Sequence, residues 1–119
     1  MLLSLLMLII PGTTWTWHAP QPVEVEAYVT AYSATETARH NPEGLNAMGL
    51  KPKMWDAACP RWLELGQRVQ IWEYIFTCRD RYAQWLDSKR DLPTFDIFST
   101  DYQSALDFGI QKVRVRVVD

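Results

Sequence analysis

The fold is decided by the stretch FDIFSTDYQSALDFGIQKVRVRV, residues 95–117. Its opening, Phe95–Phe98, predicts a short strand, and its end alternates valine with lysine or arginine, which is typical of a half-buried strand. Between them, Thr100 and Gln103 match a capping box and Gly109 matches a C-terminal stop, so the sequence predicts a helix. The residues expected on the buried side of this helix are Tyr102, Ala105, Leu106 and Phe108.

Strand signals continue upstream of this stretch. Val23–Tyr32 alternates with a period of two, with Tyr28 and Tyr32 on its polar side, and Trp55–Cys59 predicts a short apolar strand. Gln67–Arg79 is long enough to bend or to form two strands. Ser33–Lys53 is a loop, and Tyr82–Pro93 is a loop or a single helical turn. Five or six short strands with one late helix indicate a small closed barrel.

Composition limits the class of protein. The chain has 119 residues, of which 48% are hydrophobic and 22% charged, and its formal net charge is -2. These values argue against a disordered chain and against a nucleic-acid partner. A barrel of alternating strands and helices needs about 250 residues, so that fold is excluded by length.

The chain opens with an apolar run, MLLSLLMLII, at residues 1–10. This run resembles the core of a secretory signal, with Ala19 as the small residue before cleavage, although no lysine or arginine precedes it. A retained membrane anchor and a buried helix of the fold are the alternatives. We therefore divide the chain into a signal-like or anchor segment, 1–19, and a domain, 20–119. Export predicts a periplasmic, cell-envelope or extracellular location.

Five segments of the chain resemble the Asp-Asp-Asp ("3D") domain family, found in membrane-bound lytic transglycosylase A and related cell-wall enzymes. They are VTAYSA (29–34), NAMG (46–49), AACPRWLELGQRVQI (57–71), CRD (78–80) and the stretch 95–117. The resemblance spans about Val23 to Val118. It implies a mainly β fold, a six-stranded double-psi β-barrel with one short helix in its C-terminal half.

The three aspartates of the family map onto this chain in part. Asp80 stands at the second position and Asp96 at the third, whereas Cys59 occupies the first. The Gly-Gly segment that usually follows the second aspartate is replaced by Arg81 and its successors. The link between Asp80 and Asp96 is also longer than in the family.

The resemblance implies cleavage of peptidoglycan glycan strands without a cofactor or metal. In that chemistry one carboxyl protonates the leaving oxygen and then removes a proton from the C6 hydroxyl of the muramic sugar. We expect Asp80 to be this acid/base, with a raised pKa, and Asp96 to be its orienting or stabilising partner. The simpler alternatives are an ion pair of Asp80 with Arg79 or Arg81, and a structural turn at Asp96. The candidates for substrate binding are Trp85, Tyr32 and Arg81.

The two cysteines, Cys59 and Cys78, have three interpretations. If the barrel is correct, they lie on strands that approach each other near the acidic site. A disulfide between them would persist in the oxidising environment of an exported protein. Two buried free thiols are the second interpretation. The third, a nucleophilic Cys59 with His18 or His40, lacks the spacing of a dyad, and the same residues lack the spacing of a metal site.

The remaining tryptophans divide by position. Trp55, Trp62 and Trp72 sit beside strand-like segments, and we expect them in the core or at the barrel rim. Trp15 and Trp17 would lie at a membrane interface if the segment 1–10 is retained as an anchor.

Two functions compete: a lytic transglycosylase, and a non-catalytic barrel that binds cell-wall glycan or protein. A phage component acting on a host wall is a third and weaker interpretation.

Overall fold

The computed structural model describes residues 24–35, 41–82 and 88–119. The strands in these ranges close into a six-stranded barrel, in the order β1-β5-β2-β4-β3-β6. The elements are β1 (Glu24–Tyr32), β2 (Asp56–Ala58), β3 (Arg68–Ile71), β4 (Tyr74–Asp80), β5 (Thr94–Phe98), helix α1 (Tyr102–Phe108) and β6 (Gln111–Val117). The predicted fold class, a mainly β six-stranded barrel with a helix in the C-terminal half, is confirmed.

Two of the strand pairs are parallel, β1 with β5 and β2 with β4, and the other four are antiparallel. Side chains alternate between the inside and the outside of the barrel along each strand. Val29 of β1 lies opposite Phe95 of β5, and both are fully buried inside. Val69 and Val115 close the core from β3 and β6. The outer face of the barrel is therefore the place for polar side chains.

The segment predicted as one bent strand or two is divided. Ile71 ends β3 and pairs with Tyr74 of β4, so Trp72 and Glu73 form a two-residue hairpin turn. Trp72 has a φ of 55°, in the left-handed region that bulky residues avoid. This turn brings β3 and β4 side by side.

Helix α1 begins one residue later than predicted. Asp101 is the N-cap, and its carboxylate accepts hydrogen bonds from the backbone and the hydroxyl of Ser104. Gln103 bonds to Asp107 along the exposed side of the helix. The capping box from Thr100 to Gln103 was therefore wrong, because a carboxylate one position on supplies the cap instead.

The helix buries less than the sequence suggested. Ala105 is its buried residue, whereas Leu106 is 51% exposed, and Tyr102 and Phe108 are half-buried. A helix of seven residues makes only two turns, so it presents a narrow stripe to the barrel. Its predicted end is confirmed, since Gly109 takes a φ of 67° there.

The tryptophans placed in the core or at the rim are all partly exposed. Trp55, Trp62 and Trp72 expose 47%, 38% and 41% of their surface, so none belongs to the core. Trp55 stacks on Tyr74 with ring centroids 5.4 Å apart at the end of the barrel. The predictions for residues 1–19, for the histidines and for Trp85 lie outside the described residues. No helix in the described part of the chain is long and apolar enough to cross a membrane.

Candidate functional site

Both predicted catalytic aspartates belong to one row of residues on the outside of the barrel. Ala58 of β2 lies opposite Asp80 of β4 on one side and opposite Asp96 of β5 on the other. Asp96 in turn lies opposite Thr30 of β1. Residues directly opposite each other on neighbouring strands share a face. The row Asp80–Ala58–Asp96–Thr30 is therefore an outer-face site, and we call it the carboxylate row.

A β-bulge places Asp80 in this row. Ala57 pairs with Cys78 and the next residue, Ala58, pairs with Asp80, so Arg79 is the extra residue. A bulge changes the direction of the side chains that follow it. Without it, the position opposite Ala58 would belong to Arg79. The carboxylate of Asp80 reaches the row because the strand is irregular at this point.

A disulfide joins the strands beside the bulge. Cys59 and Cys78 are bonded, with Cα atoms 5.6 Å apart, and both are fully buried. The predicted disulfide is confirmed, and the interpretations with free or nucleophilic thiols were wrong. The backbone N–H of Cys59 also donates to the carbonyl of Asp80 at 2.9 Å. The disulfide thus lies directly behind the carboxylate row.

Asp80 is half-buried and held by backbone donors. Its Oδ1 accepts hydrogen bonds from the N–H groups of Ala47, at 3.1 Å, and Arg81, at 2.8 Å. Burial raises the pKa of Asp80, these two donors oppose the rise, and the nearby charge of Asp56 adds to it. The net direction is upward. The carboxyl is therefore better able than an ordinary aspartate to keep a proton.

A tight turn delivers the Ala47 donor. The side-chain oxygen of Asn46 accepts from the N–H groups of Met48, at 2.9 Å, and Leu50, at 3.0 Å. This local bonding fixes the NAMG segment in place, which is a common use of asparagine in turns. The NAMG segment of the resemblance is therefore the element that touches Asp80.

Asp96 is held from the neighbouring strand. Its Oδ1 accepts a hydrogen bond of 2.8 Å from the hydroxyl of Thr30. With β2 between them, the Cα atoms of Asp96 and Asp80 are two strand spacings apart, roughly 10 Å. The electrostatic contributions that raise the pKa of Asp80 are burial and Asp56, with Asp96 not among them. We expected Asp96 to be the neighbouring carboxylate that raises the pKa of Asp80. The neighbour that does so is Asp56.

Asp56 is the acidic residue that the sequence reasoning missed. It is 2% exposed, forms an ion pair of 3.0 Å with Nε of Arg79, and accepts from the N–H of Lys53 at 3.0 Å. Arg79 therefore pairs with Asp56, and it does not form the alternative ion pair with Asp80. A carboxylate inside an otherwise apolar strand segment was the available signal, since such a group needs a partner when buried.

Arg81 is tied to the backbone beyond β2. Its guanidinium donates to the carbonyls of Pro60, at 2.8 Å, and Leu63, at 2.6 Å. These bonds hold the connection between β2 and β3 against the end of β4. This structural role was not anticipated from the sequence, where Arg81 was a substrate-binding candidate.

Tyr32 lies in a small aromatic cluster next to the row. It is 8% exposed and meets Phe98 edge to face, with ring centroids 5.4 Å apart, beside Ala58 and Tyr82. Burial raises the pKa of Tyr32, and the charges of Asp80, Asp96 and Asp56 raise it further. Its hydroxyl stays neutral as a consequence, and within the described residues it has no hydrogen-bond partner.

The chemistry of this arrangement follows from its parts. It combines a half-buried carboxyl with a raised pKa, a second carboxyl held by a threonine hydroxyl, and a neutral phenol in the adjoining aromatic cluster. In the described ranges, no three side chains of His, Cys, Asp or Glu are grouped to hold a metal ion. No family model matches the sequence, and no curated protein is detectably similar to it.

The carboxylate row, with the carboxyl groups of Asp80 and Asp96, suits proton transfer to and from a bound substrate.

Proposed function

We propose that the protein is an exported peptidoglycan-cleaving enzyme of the lytic transglycosylase type, acting on glycan strands with Asp80 as acid/base. The observation that carries the proposal is the raised pKa of a half-buried Asp80 on the outer face, in one row with Asp96. A general acid must be protonated before it acts, and burial favours the protonated form.

The proposed reaction uses the same carboxyl twice. Asp80 first donates its proton to the glycosidic oxygen, and the bond from that oxygen to the anomeric carbon breaks. The Asp80 carboxylate then removes the proton of the C6 hydroxyl, whose oxygen bonds to the anomeric carbon and closes a 1,6-anhydro ring. Asp80 ends protonated, as it began, so no water and no second acid are consumed. A single acid/base removes the need for two carboxyls at a fixed separation.

The hydrogen bonds of Asp80 suit this cycle. Both backbone donors bind Oδ1, and none of the described residues donates to Oδ2. Oδ2 is then the atom that carries and releases the proton. The negative charge of Asp96, fixed by Thr30 on the far side of Ala58, would stabilise positive charge that develops on the sugar ring in the transition state.

Export is part of the proposal, and the disulfide supports it. The Cys59–Cys78 bond is compatible with an oxidising compartment, where disulfides persist. The apolar run at residues 1–10 would supply the signal or a membrane anchor. We place the protein in the periplasm, the cell envelope or the extracellular space.

The test is digestion of purified peptidoglycan sacculi, with products separated by mass spectrometry. We expect 1,6-anhydro-muropeptides from the wild type and a loss of at least about a hundredfold in rate for Asp80→Asn, the range for removal of a general acid/base. Asp107→Asn is the matched control, because this aspartate lies on the exposed side of helix α1. Absence of anhydro products from the wild type, or equal rates for Asp80→Asn, would refute the assignment.

A non-catalytic barrel that binds cell-wall glycan or a protein partner is the second candidate. It is favoured by two features: Cys59 holds the place of the first family aspartate, and Arg81 is bonded to backbone carbonyls. In the same experiment, this candidate predicts that the protein sediments with sacculi and releases no product. It also predicts that Asp80→Asn binds sacculi as strongly as the wild type.

A further inference from the structure

The face of the barrel opposite the carboxylate row carries a polar cleft. In the closed ring of six strands, β6 lies across the barrel from β2. The cleft runs over the outer faces of β1, β6 and β3 and has a volume of about 370 Å³. That volume falls within the range of small-ligand sites. The residues around it are Glu24, Gln70, Trp72, Val113, Arg114 and Arg116.

One arginine in this cleft is unpaired. Arg116 is exposed and lies in register between Glu24 of β1 and Gln70 of β3. The carboxylate of Glu24 bonds instead to Arg114, at 3.1 Å. Within the described ranges, the guanidinium of Arg116 has neither an ion pair nor a hydrogen bond. A guanidinium presents a planar fork of donors that matches a carboxylate or a phosphate.

Trp72 forms the aromatic wall of the cleft, and the chain holds it there under strain. It occupies the first position of a two-residue hairpin turn with a φ of 55°, where such turns favour glycine or asparagine. The amide of Gln70 donates to the Trp72 carbonyl at 2.9 Å, and the indole meets Phe108 edge to face at 6.0 Å. The residue is 41% exposed, its indole is held by Phe108, and its backbone carbonyl is held by Gln70. Strain of this kind concentrates at functional positions.

We propose that this cleft binds an anionic sugar unit, with the pyranose ring packed on the indole of Trp72 and its carboxylate or phosphate bonded by Arg116. An amphipathic ring next to a charged fork fits a ligand with one apolar face and one anionic group. Because Phe108 already holds the indole, less entropy is lost when a sugar ring packs on it. The cleft is separate from the carboxylate row, so the protein would hold a charged glycan on one face while the other stays open.

The test is a titration of the full-length protein, followed through the indole N–H signals in two-dimensional NMR spectra. The probes are trigalacturonate for a carboxylated sugar and glucose 6-phosphate for a phosphorylated one, with neutral maltotriose as the comparison. We expect at least one anionic probe to shift the Trp72 signal. We expect Arg116→Gln to weaken its binding on the order of tenfold, as for loss of one charge-assisted hydrogen bond.

Trp72→Gly provides a second variant that does not depend on charge. Glycine relieves the strained turn, so this variant should fold at least as well as the wild type while losing the probe. Because the variant lacks the Trp72 indole, its binding is followed through the backbone N–H signal of Arg116, compared with the same signal in the wild type. Trp55→Gly is the matched control, because Trp55 is also exposed and left-handed, with a φ of 76°, but lies outside the cleft. We expect Trp55→Gly and Asp80→Asn to bind the probe as the wild type does, whatever their activity on sacculi.

Four results would overturn the proposal. The first is that neither anionic probe shifts the Trp72 signal. The second is that maltotriose binds as tightly as the anionic probes. The third is that Arg116→Gln leaves the affinity for the anionic probes unchanged. The fourth is that phosphatidylglycerol vesicles perturb Trp72 while the sugars do not, which would assign the face to a lipid surface.

Discussion

Asp80 and Asp96 are the two cross-strand neighbours of a single residue, Ala58. They are 16 positions apart in sequence and lie on strands that do not pair with each other, β4 and β5. The three-residue strand β2 separates them, and its bulge sets the register on the Asp80 side. Ala58 is itself 3% exposed and belongs to the buried cluster of Tyr32, Tyr82 and Phe98. The two acids are therefore related by the topology of the barrel, not by a local motif.

The pH dependence of activity is expected to reveal the shifted pKa of Asp80. Because the proposed donor must start protonated, kcat/KM on peptidoglycan falls as the pH rises through the pKa of the free enzyme. Burial raises that pKa above the ordinary aspartate value of 3.8, so the alkaline limb should lie above it. Measured rates across the acid range check this. An alkaline limb at the ordinary value would contradict the assignment of Asp80 as the acid.

The pair Asp56–Arg79 is expected to matter for stability. Asp56 is 2% exposed, so Asp56→Ala leaves the guanidinium of Arg79 without its partner and removes the acceptor for the Lys53 N–H. We expect a loss of about 3 kcal/mol in the free energy of unfolding, measured by urea denaturation. The comparison is Asp119→Ala, which breaks the exposed pair with Arg68 and should have far less effect. Equal losses for the two variants would show that burial of the pair is unimportant.

The disulfide should contribute in the manner of a cross-link. Cys59 and Cys78 are 19 positions apart, and the chain-entropy model gives about 3 kcal/mol for a loop of this length. The double variant Cys59→Ala with Cys78→Ala should therefore unfold at lower urea than the oxidised wild type. When the wild type is unfolded in the presence of a phosphine reductant, its urea midpoint should approach that of the double variant. A midpoint that is unaffected by the reductant would contradict the prediction.

Periodicity predicted the barrel strands well, because alternation reports which face of a strand is buried. Val25 to Val29 and Val113 to Val117 turn apolar side chains inward as expected. Tyr32, expected on the polar side of β1, is instead 8% exposed, because Phe98 and Tyr82 cover it. The division of the Gln67–Arg79 segment was not decided by pattern, since the turn falls on Trp72 and Glu73, which carry no turn signal. Left-handed positions of hairpin turns favour glycine or asparagine, and Trp72 occupies one of them. Only the pairing of β3 with β4 reveals this turn.

The candidate site was predictable only where the resemblance reached. Asp80 and Asp96 were identified from their motifs, and the structure places them in one row. The role of Asp56 depends on a partner 23 positions away, Arg79, and the bulge that frees Arg79 for it has no local signature. The role of Asp56 was not predicted because it depends on a long-range ion pair and on an irregular strand register.

The start of helix α1 offers a direct test of a case where sequence and structure differ. The capping box predicted Thr100 as N-cap, whereas the carboxylate of Asp101 accepts from the N–H of Ser104 at 2.8 Å. That hydrogen bond lowers the pKa of Asp101, so the cap is strongest when the carboxyl is ionised. Asp101→Ala should lower Tm by roughly 5 °C at neutral pH, the loss typical of a helix cap in a small domain.

Thr100→Ala is the matched control for this variant, and we expect its Tm to equal that of the wild type. Because the pKa of Asp101 is lowered in the folded protein, the gap in Tm between wild type and Asp101→Ala should begin to narrow as the pH falls below the ordinary aspartate value of 3.8 and should close once the pH is below the lowered pKa. Thermal unfolding of both variants at neutral and strongly acidic pH measures this. If Thr100→Ala proved the more damaging change, the helix would begin at Thr100 after all.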